Sequence, residues 1–313
     1  MIPLGQHPHP THVVAHLSDP HLLADGARQY GVVDPEAGLR LALERLGDLD
    51  PRPDVLVFTG DLADRGEPAA YARLRALVEP AARSLGAEVV WTMGNHDDRA
   101  AWSAGLLDDD ATDPALPRDR VHEVRGLRIV ALDSTVPGYH HGALDDAQLA
   151  WLAEVLATPA EHGTVLALHH PPIPVPMLPA AALIELHDQD RLAAVVAGSD
   201  VRVVIGGHFH YTSVSTFAGV PVSVASATCY TSDPLPHDRL ISGVDAHQAF
   251  TMLHLYADRV VHTVVPVPRG PEVSGHPASW GALLEQLEPQ ERHDLVSRKD
   301  SALNTGALDL PPE

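Results

Sequence analysis

Short apolar runs recur along the chain: THVVAHL, DVLVFTG, EVVWTM, LRIVALD, TVLALHH and VRVVIGG. They are mostly apolar and end at Gly, Pro or Asp, the pattern of strands buried on both faces. Longer segments with helical spacing lie between them. PEAGLRLALERLGDL (35–49) places apolar residues at 39, 41, 43, 46 and 49, and Pro35 suits a first helical position. PAAYARLRALVEPAARSL and DDAQLAWLAEVLA repeat this spacing, with Asp145 or Asp146 available as a cap. Strand alternating with helix predicts an α/β architecture with right-handed crossovers.

Past Gly219 the pattern changes. VPVSVASATCY, FTMLHLYAD and VVHTVVPVP read as strands without helices between them, which predicts a second, mixed or antiparallel sheet. From Pro268 the chain is rich in Pro, Gly and charge, with one short helix expected at SWGALLEQL. The expected organisation is a single domain over 11–267, a disordered tail over 1–10, and a partly disordered extension over 268–313 whose last stretch, from about residue 295, is a poorly ordered tail.

Composition narrows the function. A formal charge of −21 argues against a surface that grips DNA, RNA or anionic lipid. The single cysteine, Cys229, rules out an internal disulfide and suits a reducing compartment; in its apolar run it reads as a small core residue. MIPLGQHPHP lacks the basic and apolar regions of a leader, and no apolar stretch approaches the ~18 residues of a membrane span. A cytoplasmic protein is expected.

The chemistry collects where the strands end. In α/β sheets ligands bind beyond the carboxyl ends of the strands. Those positions carry Asp19 and His21 in LSDPHL, Asp61 in TGDLADRG, Asn95 and His96 in MGNHDD, His169 and His170 in LALHHPP, and His208 and His210 in GGHFH. In extended chain, residues two apart face one side, so Asp19 with His21, and His208 with His210, are spaced to enter one pocket. Gly60, Gly94, Gly206 and Gly207 clear space where the backbone turns or closes on a ligand. An oxygen and nitrogen donor set without thiolate suits Mn, Fe or Zn. There are more donors than one metal with an open position takes, which points to two metals sharing a bridge.

Bland readings stand beside these. Asp97 and Asp98 fit helix capping as well as support of the site. His170 reads as structural, Asp64 and Arg65 as loop ties, and His7, His9 and His12 as a disordered tail among prolines. His16, His122, His254 and His262 are unspecific. The PGYHHG loop offers Tyr139, His140 and His141 as pocket lining or as a solvated turn.

Taken together, D-x-H, G-D, G-N-H-D, H-H-P-P and G-H-x-H resemble the calcineurin-like metallophosphoesterase superfamily across residues 12–266. The contexts FTGDLADRGEPAAY and PVSVASATCY are similar to bacterial class III cyclic-nucleotide phosphodiesterases. The resemblance implies a four-layer α/β/β/α sandwich of two mixed sheets flanked by helices. It makes Asp19, His21 and His210 ligands of one metal and Asn95, His169 and His208 ligands of a second, with Asp61 bridging. His96 becomes the catalytic histidine beside the substrate phosphate, and Asn95, His96, His210 and His140 line the substrate.

The implied cofactors are two metal ions, Fe or Mn first and Zn next. The implied reaction is hydrolysis of 3′,5′-cyclic AMP to AMP, or of 2′,3′-cyclic nucleotides, by a metal-bridging hydroxide assisted by His96. Two divalent cations against the two carboxylates leave a local charge of about +2, enough to attract a phosphodiester despite the acidic total. A glycerophosphodiesterase, a general phosphodiesterase or phosphomonoesterase, and a non-catalytic scaffold are the alternatives. The expected partner is a small phosphodiester, and the expected assembly a homodimer.

Overall fold

A computed structural model describes residues 4–107, 109, 113, 115–277 and 279–305. Pro10–Arg269 form one compact unit, and the described parts of 1–9 and 270–313 form another.

In the larger unit, β1 (His12–Leu17), β2 (Val55–Thr59) and β3 (Glu88–Thr92) pair in parallel. The second sheet is built on β5 (Leu127–Leu132), β6 (Thr164–Leu168) and β7 (Val201–Gly206), also parallel, with β4 (Arg120–Val124) antiparallel at one edge. Facing valines and isoleucines from both sheets, among them Val14, Val57, Val90, Ile129, Val165 and Ile205, form a buried layer between them. The other face of the first sheet packs on α1 (Pro35–Gly47), α2 (Pro68–Leu85) and α3 (Arg99–Leu106), through residues such as Leu39, Leu74 and Trp102. The other face of the second packs on α4 (Asp146–Leu156) and α5 (Gln189–Val196), through Leu152 and Leu192. The unit is the α/β/β/α sandwich.

Local chemistry explains the helix starts. Asp34 accepts from the Ala37 amide with Pro35 at the first helical position, and Asp145, not Asp146, closes a capping box with Gln148 on α4.

The late strands correct one expectation. The three runs named there do not form a sheet of their own. β12 (Ala249–Leu255) and β13 (Val260–Pro266) add antiparallel to β1, while β8 (Ser213–Phe217) and β9 (Val220–Val224) add beside β7. Both existing sheets had an open edge there, and pairing with it satisfies backbone groups a separate sheet would leave exposed. Only the start of VPVSVASATCY is strand; Ala225–Tyr230 are loop, and a short ladder follows in β10 (Thr231–Ser232) and β11 (Gly243–Val244). His12 is also not tail: it opens β1, is buried, and its Nε2–H donates to the Val124 carbonyl at 3.0 Å.

In the smaller unit, α6 (Ser279–Gln286) falls where SWGALLEQL predicts a helix. A second helix, α7 (Pro289–Ser297), was not anticipated and runs into the stretch expected to be tail from about residue 295. Its sequence PQERHDLVS holds only two apolar side chains, so it carries no periodic signal. The disorder expected at 1–3 and 306–313 falls outside the described residues. No helix among the described residues is long and apolar enough to cross a membrane.

Candidate metal centre

Five strand ends of the two sheets deliver the site. Asp19 and His21 follow β1, Asp61 follows β2, Asn95 and His96 follow β3, His169 and His170 follow β6, and His208 and His210 follow β7. The sequence pattern locates these residues correctly but not the way the chain aims them. Asp19, His21, Asp61, His208 and His210 all have left-handed backbone, with φ of 50°, 45°, 50°, 73° and 56°. The strands stop before these residues, so side-chain direction is set by loop conformation and not by the alternation of extended chain. Non-glycine residues adopt such angles at a cost and concentrate at functional sites.

Two clusters result. Asp19, His21, Asp61 and His210 bring one donor atom each within 4.8 Å of one another. His21 Nε2 lies 3.1 Å from His210 Nε2 and 3.3 Å from Asp61 Oδ2, and His210 Nε2 lies 3.4 Å from Asp19 Oδ1. In the second cluster His169 Nε2 is 3.0 Å from Asn95 Oδ1, 3.2 Å from His208 Nδ1 and 3.3 Å from the same Asp61 Oδ2. His208 and His210 therefore enter one site but join different clusters.

The tautomers decide what these clusters can hold. His21 Nδ1 donates to Asp64 (3.1 Å), His210 Nδ1 to the Tyr230 carbonyl (3.0 Å), His169 Nδ1 to the Thr59 carbonyl (2.7 Å), and His208 Nε2 to the Ile184 carbonyl (2.9 Å). Each ring has thus placed one N–H on a fixed acceptor, and the remaining nitrogen turns a lone pair inward. Asn95 does the same: its Nδ2 donates to His140 Nδ1 at 2.9 Å and its oxygen faces His169. Lone pairs of nitrogen, amide oxygen and carboxylate converge on two points. Neutral donors cannot reconcile such a set, and cations can.

The same acceptors also attract protons. Burial opposes charge on His169, but Asp61 outweighs it and lifts the imidazole to about 9. Burial likewise opposes charge on His21, and the hydrogen bonds it donates to Asp61 and Asp64 more than reverse it, raising its pKa well above the usual value. His208 goes the other way: burial, then the neighbouring His169, push it down to about 3. The carboxylates draw positive charge into the centre, and a divalent ion competes there with the protons.

Glycines make the approach possible. A Cβ on Gly207 would collide with Ser18 Oγ and Asp19 Oδ2, and one on Gly94 with the backbone nitrogen and Oδ1 of Asp61.

His96 stands beside the clusters and outside both. Its amide donates to Asp61 Oδ1 at 2.8 Å and its Nδ1 to the Asp64 carbonyl at 2.8 Å, which leaves Nε2 unengaged. Its ring packs edge-on to His21 at 4.8 Å and lies 5.4 Å from His140.

Several undecided residues now have definite contacts. Asp98 caps α3 through the Ala101 amide, whereas Asp97 accepts from the amides of Leu62, Ala63 and Gly94 and so ties the Asp61 loop to the Asn95 loop. His170 donates to the His140 carbonyl and accepts from Ser134, fixing the PGYHHG loop from below. Arg65 pairs with its neighbour Asp64. Cys229 is buried as expected but sits in the loop beside His210, its sulfur 4.0 Å from Nδ1. The carbonyls of Thr59, Ile184 and Tyr230 had no sequence signal, because any residue supplies one.

Residues 12–212 match the calcineurin-like phosphoesterase family. The chain belongs to this family. It is 48% identical over 314 residues to the cAMP/cGMP dual specificity phosphodiesterase of Mycobacterium tuberculosis, covering 98% of each chain. It is 50% identical over 263 residues to a probable cyclic nucleotide phosphodiesterase of Rhodococcus erythropolis, covering 84% of this chain and 86% of the relative. Among solved structures, a dimetal phosphatase from Danio rerio superposes with a TM-score of 0.59 at 17% identity, over 83% of this chain and 97% of the other, a likeness of fold. Within this calcineurin-like fold, the converging acceptors stand at the carboxyl ends of parallel strands from both sheets.

Proposed function

We propose that this calcineurin-like chain hydrolyses cyclic nucleotides, opening the phosphodiester of 3′,5′-cyclic AMP or cyclic GMP to the monophosphate. Asp19, His21, Asp61 and His210 would hold one metal ion and Asn95, His169 and His208, with Asp61 again, a second. The observation that carries this reading is the single oxygen, Asp61 Oδ2, at 3.3 Å from a lone-pair nitrogen of each cluster. The nucleotide substrate is supported by the relatives named for it, which match over 98% and 84% of this chain.

Bound metals supply the hydrolytic chemistry, polarising the phosphoryl group and acidifying water. The chain's own groups do the rest. Asn95 contributes a neutral oxygen and leaves the local positive field intact. His96 Nε2, free of protein partners, carries the proton that the departing ribose oxygen takes as its bond to phosphorus breaks. His140, held by Asn95, and His210 line the same opening and help seat the substrate. Oxygen and nitrogen donors fit Mn, Fe or Zn, with Fe and Mn preferred. A homodimer in the cytoplasm completes the proposal, supported by the family resemblance and by the lone buried cysteine.

The test is turnover by metal-stripped protein reloaded with Mn²⁺, on 3′,5′-cyclic AMP, 3′,5′-cyclic GMP, 2′,3′-cyclic AMP, an aryl diester and an aryl monoester. Metal-dependent opening of the cyclic nucleotides, lost in Asn95→Ala, is expected. Turnover of the aryl esters alone would move the substrate elsewhere.

A further inference from the structure

Beside the metal centre lies a pair of aromatic rings that the hydrolytic chemistry does not use. Tyr30 and Tyr230 meet edge to face at 5.7 Å, with their hydroxyls 3.3 Å apart. Together with Val32, Ile241 and Asp245 they line a cavity of about 430 Å³. Tyr30 is 79% exposed and sits at φ 51°, so the chain holds an aromatic side chain in solvent on a strained backbone.

Both rings are tethered to the centre. Tyr230 gives its carbonyl to His210 Nδ1 and lays its ring 4.6 Å from the His210 imidazole. Gln29, next to Tyr30, is buried and donates to Asp64 Oδ1 at 2.8 Å, the same oxygen that accepts from His21. Each tyrosine is thus placed by a group that also orients a histidine of the first cluster.

We infer that Tyr30 and Tyr230 form the subsite for the nucleobase of the substrate. This rests on the cyclic-nucleotide reading. A succession of ring contacts runs from His140 through His96, His21 and His210 to Tyr230 and Tyr30, and its two ends differ in chemistry. On one side stand His96 and His140, imidazoles suited to phosphoryl and leaving oxygens. On the other stand two phenols and two aliphatic side chains, suited to the face of a planar heteroaromatic ring. The His210 and Tyr230 rings are 4.6 Å apart, so one ribose would span from a phosphate at the centre to a base on the phenols. Asp245, one of whose oxygens accepts from Gln248, offers a carboxylate to a base amino group at the rim.

The test compares wild type with Tyr30→Ala and Tyr30→Phe on 3′,5′-cyclic AMP and on the base-free cyclic ribose phosphate, and titrates AMP calorimetrically into each protein. Tyr30→Ala is expected to raise KM for cyclic AMP and weaken AMP binding by about 10-fold, with kcat changed less than about twofold. The KM for the base-free substrate should not follow, and Tyr30→Phe should restore AMP affinity because it keeps the ring. An equal KM change on both substrates, or an unchanged KM for cyclic AMP, overturns the inference. So does the same selective loss in Tyr139→Ala in place of Tyr30→Ala, which would put the base on the histidine flank. If wild type opens no cyclic nucleotide, the function reading fails, and the AMP titration still decides the subsite: binding weakened in Tyr30→Ala supports it and absent binding overturns it.

Discussion

The phenol of Tyr71 donates to Oδ1 of Asp97 at 3.0 Å and ties helix α2 to the loop that carries Asn95 and His96. The same phenol accepts from the Asp98 amide at 3.0 Å. Asp97 in turn gathers amides from two loops, so one buried carboxylate sets the spacing between Asp61 and Asn95. Burial, then the nearby Asp61 charge, raise its carboxyl to about 6.

Asp97→Asn puts an amide NH2 against backbone N–H donors. The expected outcome is a 10- to 100-fold loss of metal affinity, roughly the effect of losing a partner that orients a ligand. Tyr71→Phe removes both hydrogen bonds of the phenol and should cost about 1–3 kcal/mol of stability with metal content little changed. Metal analysis across graded chelator, beside urea unfolding, separates the two. Equal metal loss in both variants would mean that the helix, and not the carboxylate, spaces the loops.

The pH dependence of folding should carry the mark of His16. This side chain is fully buried on β1, donates from Nε2 to Thr59 Oγ1 at 2.8 Å, and is pushed down to about 3 by burial. A histidine whose folded pKa is depressed contributes stability that is present above its unfolded value near 6.5 and is lost as pH falls towards 3. His16→Gln keeps a donor towards Thr59 and cannot titrate. Between pH 6.5 and 4.5 the wild type should lose about 2 kcal/mol more than the variant. Parallel curves in denaturant titrations would show that His16 does not drive acid destabilisation. The centre's own histidines titrate in both proteins, so the difference isolates this one.

Much of this was legible in the sequence, and the failures have physical causes. β1, β2, β3, β6 and β7 announce themselves because strands covered on both faces are mostly apolar. Both edges of the second sheet, β4 with RVHEV and β8 with SVSTF, escaped, because an edge strand alternates polar with apolar and ends in water. The donors of the centre were readable from residue type at strand ends. Their aim was not: it depends on left-handed φ at Asp19, His21 and Asp61, and on the carbonyls of Thr59, Ile184 and Tyr230. Tyr30 gave no signal, since an aromatic residue in a polar loop is unremarkable until the fold sets it against Tyr230.

Gly207→Ala tests how little room the centre has. The added methyl meets Ser18 Oγ and Asp19 Oδ2, and Asp19 is also held by the His208 amide at 3.1 Å. Asp19 has to move, which disturbs the cluster of His21 and His210. Circular dichroism should stay near wild type, while activity falls about 100-fold and bound metal drops towards one ion per chain. Retention of two ions with full activity would show that the loop relaxes around the methyl.

Asp64 and His96 make a pair whose effects should separate. The Asp64 carboxylate fixes the tautomer of His21, and its backbone carbonyl holds His96 Nδ1. Asp64→Asn alters only the first of these, so it should weaken metal binding and leave the metal-saturated kcat within a few fold. His96→Ala removes no donor of either cluster, only a ring packed edge-on against His21. It should keep both metals and lower kcat by 10²–10⁴-fold, the range for a lost proton donor. Saturation kinetics on a diester with a poor leaving group, run at excess Mn²⁺, reads the contrast, and a nitrophenolate leaving group should shrink the His96 defect because it departs without a proton. A His96→Ala defect independent of the leaving group would give this histidine a part in binding the phosphoryl oxygens and take away its role as acid.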